Sequence, residues 1–385
     1  MATTPLQQLI IERIQREGAL TFAAYMRMAL YEPNYGYYVA GQPKIGFEGA
    51  DYYTSTDVST PFFANCMGRQ LSQWWEKLGR PAHFVVLEQG AGRGDLVQGV
   101  QAWATQEAAP DFQAALDYRI EDIRLGQDSI AEILRFAQDD SWAHAKQHIS
   151  SHTFHAPIAP SVILSNELID AFPVHIVETR NQRLYEIYVD VQDGRLCEVL
   201  GEPGTVEVAD YLDAYAIPWR SFGDGWRAEI NLDALYWMQR TAQLLGRGYI
   251  LAIDYGDKAK ALYTKYRRHG TLACYFQHQM NERPLVRPGE QDITAHVNFS
   301  ALIEEGRRQG LHLNTFTTQR LWLAGLGIHE ELERRRMSEF AESVTQRATD
   351  RGQVALLKWR DLSQRVAALT DPAGMGNFKV LILRR

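Results

Sequence analysis

The sequence His83-Phe-Val-Val-Leu-Glu-Gln-Gly-Ala-Gly-Arg-Gly-Asp-Leu96 joins a short apolar run to three closely spaced glycines. The apolar part is continuous and rich in β-branched side chains, which is typical of a buried central strand in a parallel sheet. Gly90, Gly92 and Gly94 allow positive φ angles and a close approach of the backbone to a ligand, and a helix can begin directly after them. The stretch therefore predicts a buried strand, a ligand-binding turn and a helix. An ordinary tight turn between strand and helix is the alternative.

The spacing of these glycines separates two kinds of nucleotide site. A dinucleotide fingerprint needs G-x-G-x-x-G, whereas Gly90 to Gly94 gives G-x-G-x-G, and the carboxylate of Glu88 stands two residues ahead. This pattern resembles the first motif of class I S-adenosylmethionine-dependent methyltransferases. The resemblance implies that Glu88 and the glycines hold the methionine end of that cofactor.

The composition limits the classes of protein to be considered. A chain of 385 residues with 45% hydrophobic and 23% charged residues is expected to fold into an ordered globular protein. A formal net charge of −7 argues against a nucleic-acid partner, which needs a basic face. The three cysteines, Cys66, Cys197 and Cys274, are widely separated and odd in number, which suits a reducing compartment without a disulfide framework.

The location is predicted from segments that the sequence lacks. No apolar run approaches the roughly 20 residues that a membrane span requires. The first residues show neither the apolar region of a signal peptide nor an Arg/Ser-rich transit segment. We therefore expect a cytoplasmic protein with no membrane span, whose oligomeric state the sequence does not reveal.

A second strand is predicted over Tyr118-Arg-Ile-Glu-Asp122, and it ends in two carboxylates. In an open α/β sheet, an acidic residue at the end of the second strand can accept both ribose hydroxyls of a nucleotide. Glu121 is the residue that we predict for this role, and Asp122 is its competitor.

A third informative stretch is Ser161-Val-Ile-Leu-Ser-Asn-Glu-Leu-Ile-Asp-Ala-Phe-Pro173, a short buried strand followed by polar residues. Polar groups just past the carboxyl end of such a strand face the ligand crevice. Asn166, Glu167 and Asp170 are therefore candidates for contact with a reacting substrate. The alternative is that they cap the start of a helix.

Local patterns predict further elements. Leu6, Leu9, Ile10 and Ile14 share one helical face, and Gly18 ends that helix. Another helix is predicted from Pro61 to Leu78. A strand over Leu311 to Thr317 and a last strand over Phe378 to Leu383 are expected to form a closing antiparallel pair.

The remaining chain suggests an N-terminal helical arm and an insertion. The aromatic segment after the first two helices, residues 31–38, can pack over the core or form a lid over the cofactor. Asp193-Gly194 within an alternating pattern predicts a type I′ hairpin. His144, His148, His152 and His155 would share a helical face, which suits a solvated or interfacial face better than a metal site.

Several blocks in order along the chain resemble the MidA-like family of class I methyltransferases, whose mitochondrial members assist complex I assembly by symmetrically dimethylating an arginine of a complex I subunit. The blocks span most of the sequence and are more specific together than the glycine turn alone. They are Tyr25-Met26, Leu30-Tyr-Glu-Pro33, Gly36-Tyr-Tyr38, Asp51-Tyr-Tyr-Thr-Ser55, Glu88 to Leu96, Asn166-Glu167 with Asp170 and Pro173, Asp254-Tyr-Gly256, Gly289 with Asp292-Ile-Thr294, and Gly376 with Phe378.

The resemblance implies a doubly wound, mostly parallel, seven-stranded α/β sheet with an N-terminal arm and an inserted β-hairpin region. The predicted divisions are an arm over residues 1–60, the first part of the core over 61–176, the insertion over 177–228 and the rest of the core over 229–385. Two departures are that Ala50 replaces a glycine often found there, and that residues 123–140 match the usual helix poorly.

The function that the resemblance implies is methyl transfer from S-adenosylmethionine to an arginine of a protein, such as a respiratory-complex subunit, without a metal. Glu167, Asp170 and Asn166 would hold and polarise the acceptor. Further cofactor-binding candidates are Asp95, Thr54, Ser55 and Asn166. A small-molecule O- or N-methyltransferase and a non-catalytic assembly or chaperone protein are the competing interpretations.

Overall fold

The computed structural model describes residues 4–40, 54–123, 159–277, 279–346 and 349–385. The described helices are α1 (Pro5–Glu17), α2 (Phe22–Tyr31), α3 (Ser55–Lys77), α4 (Asp95–Glu107), α5 (Pro110–Ala115), α6 (Val206–Ala214), α7 (Asp233–Leu244), α8 (Ala259–Leu262), α9 (Phe299–Arg308), α10 (Gln319–Gly325), α11 (Ile328–Ser338), α12 (Glu342–Thr345) and α13 (Asp350–Thr370). The described strands are β1 (Leu20–Thr21), β2 (Phe84–Gln89), β3 (Leu116–Glu121), β4 (Val162–Asn166), β5 (His175–Arg180), β6 (Arg183–Gln192), β7 (Arg195–Gly201), β8 (Arg227–Ile230), β9 (Tyr249–Asp254), β10 (Gly256–Asp257), β11 (Ala273–Phe276), β12 (Gln279–Asn281), β13 (Asp292–Thr294), β14 (Val297–Asn298), β15 (His312–Thr318) and β16 (Lys379–Arg384).

A six-stranded sheet with the order β15-β16-β9-β4-β2-β3 forms the centre of the molecule. Strands β3, β2, β4 and β9 pair in parallel, whereas β16 runs antiparallel to both of its neighbours. Consequently the carboxyl ends of β2, β3, β4 and β9 lie along the same edge. The predicted α/β sheet with a parallel centre is confirmed, and its two final strands form the antiparallel pair expected from the sequence.

Helices cover both faces of this sheet. On one face, Val86 and Leu164 belong to an apolar cluster with Trp74 of α3 and Val100 of α4. On the other face, Leu87, Ile163 and Ile250 cluster with Trp237 of α7 and Phe299 of α9. This alternation follows from the period-two geometry of a strand, and it explains why these strands are apolar without interruption.

A second sheet of five strands contains β1, β6, β5 and β8 in that order. The fifth strand, β7, also pairs with β6. The N-terminal arm belongs to it, because Leu20 of β1 pairs with Val189 of β6. Apolar side chains of α1 and α2 share a cluster with Val174 and Ile187. The insertion and the arm therefore fold together beside the central sheet, while the predicted division into four segments stays a prediction.

Local sequence patterns predicted several elements correctly. Helix α1 ends at Glu17 with Gly18 at φ 88°, as the sequence predicted. Asp193 and Gly194, at φ 51° and 72°, form the predicted hairpin between β6 and β7. The helix expected to begin at Pro61 was placed wrongly, because α3 begins at Ser55 and contains Pro61 in its interior.

Some predictions concern residues outside the described ranges, and others can be compared with the described residues alone. The histidine-rich segment, residues 144–155, lies outside the described residues. In the described part of the chain, no helix is both long and apolar enough to cross a bilayer. Within the same ranges, no group of three or more His, Cys, Asp or Glu side chains is arranged to hold a metal ion.

Candidate active site

The glycine turn lies at the carboxyl end of β2, between that strand and α4. Gly90, Gly92 and Gly94 have φ angles of 73°, 58° and 76°, a region that other L-residues enter with strain. The N–H groups of Gly90 and Ala91 both donate to the carbonyl oxygen of Glu121, at 2.8 and 3.2 Å. Strand β3 therefore holds the turn from its neighbouring position, and Gly94 caps the first turn of α4.

Glu88 is buried at the end of β2, with 4% of its surface exposed. The hydroxyl of Tyr118 donates to Glu88 Oε2 at 3.0 Å. Burial raises the pKa of Glu88 to about 8, against the opposing effect of that hydrogen bond. A carboxylate desolvated in this way gains most from a cationic ligand, which is the kind of group that the methionine end of the predicted cofactor offers.

The two candidate ribose acceptors face different partners. The carboxylate of Glu121 accepts from Gln89 Nε2 at 2.9 Å, and Gln89 in turn accepts from Trp237 Nε1 of α7 at 2.9 Å. The carboxylate of Asp122 instead accepts from the N–H of Gly92, at 2.8 Å. The structure thus brings Asp122 to the glycine turn and directs Glu121 toward α7, so the ribose role of Glu121 stays a prediction.

Other predicted cofactor residues take separate positions. Asp95 begins α4 and pairs with Arg93, and 37% of its side chain is exposed. Thr54 directly precedes α3, and the N–H of Val58 donates to its carbonyl oxygen. Ser55 is fully buried, and its hydroxyl donates to Gln319 Oε1 at 3.2 Å. Whether any of the three contacts the cofactor stays a prediction.

Glu167 directly follows β4 and is held by the start of α3. The N–H of Ser55 donates to Glu167 Oε1 at 2.8 Å, and Asn166 Nδ2 donates to the same oxygen at 3.2 Å. Burial raises the pKa of Glu167 to about 7, and the Asp170 charge adds to the rise. Glu167 also has a φ of 52°, so the local backbone carries strain of about 1 kcal/mol, as is frequent at functional sites.

Asp170 and Asp254 lie in the same site as Glu167. Asp254, fully buried at the end of β9, accepts from the N–H groups of Ile169 and Asp170 at 2.9 and 3.3 Å. The hydroxyl of Tyr255 donates to Asp170 Oδ2. Burial raises the pKa of Asp170 to about 6, and burial together with the Asp170 and Glu167 charges raises that of Asp254 well above its usual range.

The glycine turn adjoins the acidic group, which is the cluster of Asn166, Glu167, Asp170 and Asp254. A Cβ atom on Gly90 would lie 2.7 Å from Leu168 Cδ1, and Leu168 stands between Glu167 and Asp170. Two buried oxygens of the acidic group, Asp170 Oδ1 and Asn166 Oδ1, have no hydrogen-bond partner within the described ranges. The arrangement can hold a ligand at the glycine turn beside a second ligand rich in hydrogen-bond donors.

Comparison with known proteins assigns the family. The family described as "putative S-adenosyl-L-methionine-dependent methyltransferase" matches residues 66–317, which is well over half of the chain. The chain belongs to this methyltransferase family. The methyltransferase is therefore an enzyme with S-adenosylmethionine as its cofactor, the MidA-like resemblance is confirmed, and the non-catalytic interpretation is set aside.

Individual relatives cover nearly the whole methyltransferase. It is 25% identical to a mitochondrial protein arginine methyltransferase NDUFAF7 homolog of Drosophila melanogaster, over 96% of this chain and 83% of that one. The mouse NDUFAF7 protein arginine methyltransferase is 24% identical over 86% of this chain and 76% of its own. A Burkholderia thailandensis protein solved with S-adenosyl-homocysteine superposes with a TM-score of 0.77 at 27% identity, over 99% of this chain and 92% of that one.

Two acidic residues were given no role from the sequence. Asp254 and Asp292 stood only in blocks of the family resemblance, without a role. The signal for Asp254 was present, because β9 ends in a carboxylate at the edge where β2 and β4 also end. Tyr31 of the arm reaches this methyltransferase site, because its hydroxyl donates to the carbonyl oxygen of Ala171, directly after Asp170, at 2.9 Å. No local pattern reveals such a long-range contact.

Proposed function

We propose that this methyltransferase transfers a methyl group from S-adenosylmethionine to a side-chain nitrogen of an arginine in a protein. The observation that carries the proposal is a buried acidic group with unpaired acceptor oxygens beside the glycine turn. In the described part of the chain, no Lys or Arg forms an ion pair with Glu167, Asp170 or Asp254. A cationic ligand would favour the ionised form of buried carboxylates in this state.

Arginine fits this requirement through its donors. A guanidinium carries five N–H donors in a planar fork and matches carboxylate oxygens in pairs. Glu167 and Asp170 supply such oxygens, and the unpaired Asp170 Oδ1 and Asn166 Oδ1 are further acceptors. The names of the NDUFAF7 relatives, which are protein arginine methyltransferases, support the same acceptor. A respiratory-complex subunit is the acceptor protein that the family resemblance suggests.

The acidic residues would hold the acceptor nitrogen in line and receive its proton. S-adenosylmethionine, when bound, supplies an electrophilic methyl group on a positively charged sulfur. As the nitrogen–carbon bond forms, the carbon–sulfur bond breaks, sulfur keeps the electron pair, and the nitrogen loses a proton. Glu167, with a pKa of about 7, is suited to take that proton and release it to water. Positioning and charge stabilisation are otherwise sufficient for such a displacement.

The cofactor residues that we propose are Glu88 at the methionine end, the glycine turn beside it, and Asp122 at the ribose. Asp122 is preferred to Glu121 because its carboxylate already contacts the Gly92 N–H. We further propose that the sheet is the seven-stranded, doubly wound sheet of class I methyltransferases. Its six described strands and the helices on both faces support this assignment.

A cytoplasmic location is also a proposal. It is supported by the state of the cysteines, since Cys66, Cys197 and Cys274 are all free thiols. Cell fractionation followed by immunodetection would test it, and recovery of the protein in an organelle would contradict it.

The role of Glu167 is tested by Glu167→Gln, which keeps the side chain's shape and its bond with Ser55 but removes the charge. We expect the rate of methyl transfer to fall by about 100-fold or more, because a buried charge-assisted contact contributes several kcal/mol in the transition state. S-adenosylmethionine affinity, measured by calorimetry, should change less than about threefold. The rate is measured as methylarginine formed in a proteome incubated with labelled cofactor.

The matched control is Glu207→Gln, an exposed residue in the first turn of α6, which should leave both quantities unchanged. Full turnover by Glu167→Gln would overturn the assignment of Glu167. Label found on small molecules alone, with no methylarginine, would overturn the arginine proposal in favour of a small-molecule acceptor.

A further inference from the structure

The N-terminal arm reaches the acidic site through two tyrosines. The hydroxyl of Tyr31 donates to the carbonyl oxygen of Ala171, at 2.9 Å, directly after Asp170. The hydroxyl of Tyr38 donates to Asp292 Oδ1 at 2.8 Å. The two rings stack on each other, with centroids 5.5 Å apart and planes 23° apart. The arm thus connects the segment after β4 with strand β13.

The segment that carries Asp292 lies beside the segment that carries Asp170. The pKa of the Tyr31 hydroxyl is raised by burial and then by the negative charges of Asp292 and Asp170. The pKa of Tyr275 is raised by burial and by the same two carboxylates. The backbone agrees, because the N–H of Ala295, just after β13, donates to the carbonyl oxygen of Asp170 at 2.9 Å.

The rings of Tyr31 and Tyr38 are only partly buried, although both hydroxyls are bonded within the protein. Asp170 and Asp292, by contrast, are 6% and 1% exposed. The site therefore combines buried carboxylates with partly exposed aromatic surface. Asp170 Oδ1 has no hydrogen-bond partner within the described ranges, so a cation that enters the site can donate to it.

These features favour a flat cation over a compact one. A guanidinium is planar and weakly hydrated, and it stacks on aromatic faces while its edge donates to carboxylates. An ammonium is a strongly hydrated point charge and gains less from a flat wall. The combination of ring and carboxylate thus distinguishes arginine from lysine by shape as well as by charge.

We propose that Tyr31 and Tyr38 of the N-terminal arm, together with Asp292, form the wall of the acceptor site that lies across from Glu167 and Asp170 and selects a guanidinium. The inference rests on the arginine acceptor proposed above and adds the residues that specify it. The arm is then a specificity element for the acceptor, and its position is set by the two hydroxyl contacts.

The test is a binding experiment that needs no knowledge of the acceptor protein. The full chain loaded with S-adenosyl-homocysteine is titrated with methylguanidinium and, separately, with n-butylammonium, and ligand-observed NMR gives the two dissociation constants. We expect methylguanidinium to bind more tightly. Tyr31→Leu and Tyr38→Leu should each weaken it by about 3- to 30-fold, as expected for loss of a cation–π contact, while n-butylammonium binding should change little.

Paired variants separate the ring from the hydroxyl and from general damage. Tyr31→Phe and Tyr38→Phe keep the rings and should lose much less affinity than the leucine variants. Asp292→Asn should weaken methylguanidinium binding as well. Tyr266→Leu, at a residue that is 84% exposed, should bind both ligands as the wild type does. S-adenosyl-homocysteine affinity, measured in the same samples, reports whether each variant is folded.

Two results would overturn the inference, and they are distinguishable from failure of the proposed function. If leucine variants that retain S-adenosyl-homocysteine affinity bind methylguanidinium as the wild type does, the aromatic wall has no such role, although methylarginine formed by the wild type would still support the function. If the wild type binds n-butylammonium more tightly and forms no methylarginine, both the inference and the proposed function fail.

Discussion

Glu88 combines burial with a position beside the glycine turn, so we expect its ionisation to be linked to cofactor binding. Its pKa of about 8 means that it is mainly protonated at neutral pH in the unliganded protein. The cationic methionine end should bind the ionised form. Affinity for S-adenosylmethionine should therefore rise almost tenfold per pH unit between about pH 5.5 and 7.

Calorimetric titrations at several pH values would measure this slope. Above about pH 7.7 the amino group of the cofactor begins to lose its own proton, so the lower window is the informative one. Glu88→Gln should bind more weakly at pH 7 and lose most of the slope. An equally steep slope in that variant would assign the linkage to another group.

Asp122 and Glu121 can be separated by a ligand that lacks the ribose hydroxyls. Asp122→Asn should weaken S-adenosyl-homocysteine binding by about 10- to 100-fold, because a hydrogen bond to a charged group contributes roughly 1.5–3 kcal/mol. The 2′,3′-dideoxy analogue should bind the wild type and the variant almost equally. If Glu121→Gln shows this pattern and Asp122→Asn does not, the ribose belongs to Glu121.

The turn between β2 and α4 owes its conformation to glycine, and a second glycine in the chain provides a matched comparison. Gly90 has a φ of 73° and Gly194, in the β6–β7 hairpin, has a φ of 72°. A Cβ on Gly90 would press on Leu168 Cδ1 at 2.7 Å, whereas one on Gly194 would meet nothing within 4 Å. The two substitutions therefore differ mainly in what surrounds the new methyl group.

Gly90→Ala and Gly194→Ala should each cost about 1–2 kcal/mol of unfolding free energy through backbone strain. Gly90→Ala should also weaken cofactor binding and slow methyl transfer, because a displaced Leu168 moves the segment between Glu167 and Asp170. Urea unfolding, calorimetry and turnover would measure the three effects. Equal turnover in both variants would mean that the turn tolerates a side chain there.

The elements that the sequence predicted well are those specified by neighbouring residues. The glycine turn, α1 with its terminal Gly18 and the Asp193-Gly194 hairpin all follow from local conformational preference. The start of α3 was predicted at Pro61, where the apolar pattern that begins with Phe62 and Phe63 sets in. It lies at Ser55 instead, and the N–H of Ser55 donates to Glu167, far along the chain. A cap of that kind depends on the folded structure, so the sequence gives no local sign of it.

The candidate active site could be predicted only in part for the same reason. Asn166, Glu167 and Asp170 follow one strand, so their proximity could be expected from the sequence. Which of Glu121 and Asp122 faces the turn depends on a single residue of strand register, because alternate side chains point to opposite faces. Contacts such as Tyr38 with Asp292 join distant segments and require the whole fold.

The stability of the whole molecule should depend on pH in a direction set by its buried carboxyls. Glu88, Glu167 and Asp170 have pKa values raised to about 8, 7 and 6, above the values near 4 of an unfolded chain. The native state therefore holds more protons than the unfolded state between about pH 4 and 8. The stabilisation is full below pH 4 and is lost as pH rises through these folded pKa values.

Glu167→Gln should reduce this dependence, since the amide needs no proton to remain neutral. The difference in unfolding free energy between the variant and the wild type should increase in favour of the variant by on the order of 2 kcal/mol from pH 5 to pH 8. Urea unfolding of the unliganded protein at the two pH values would measure it, with Glu207→Gln as the control. A difference from the wild type that is the same at both pH values would mean that packing, and not ionisation, causes it.

The pairing of β1 with β6 has a consequence for biosynthesis. Leu20 leaves the ribosome long before its partner Val189, and at 5–20 residues per second the delay is roughly 10–30 s. During that interval the apolar faces of α1 and α2 have no second sheet to cover them. The interval between the synthesis of Tyr38 and that of its partner Asp292 is longer still. The nascent arm is thus a segment that a holding chaperone could protect, and its contact with Asp292 forms late in synthesis.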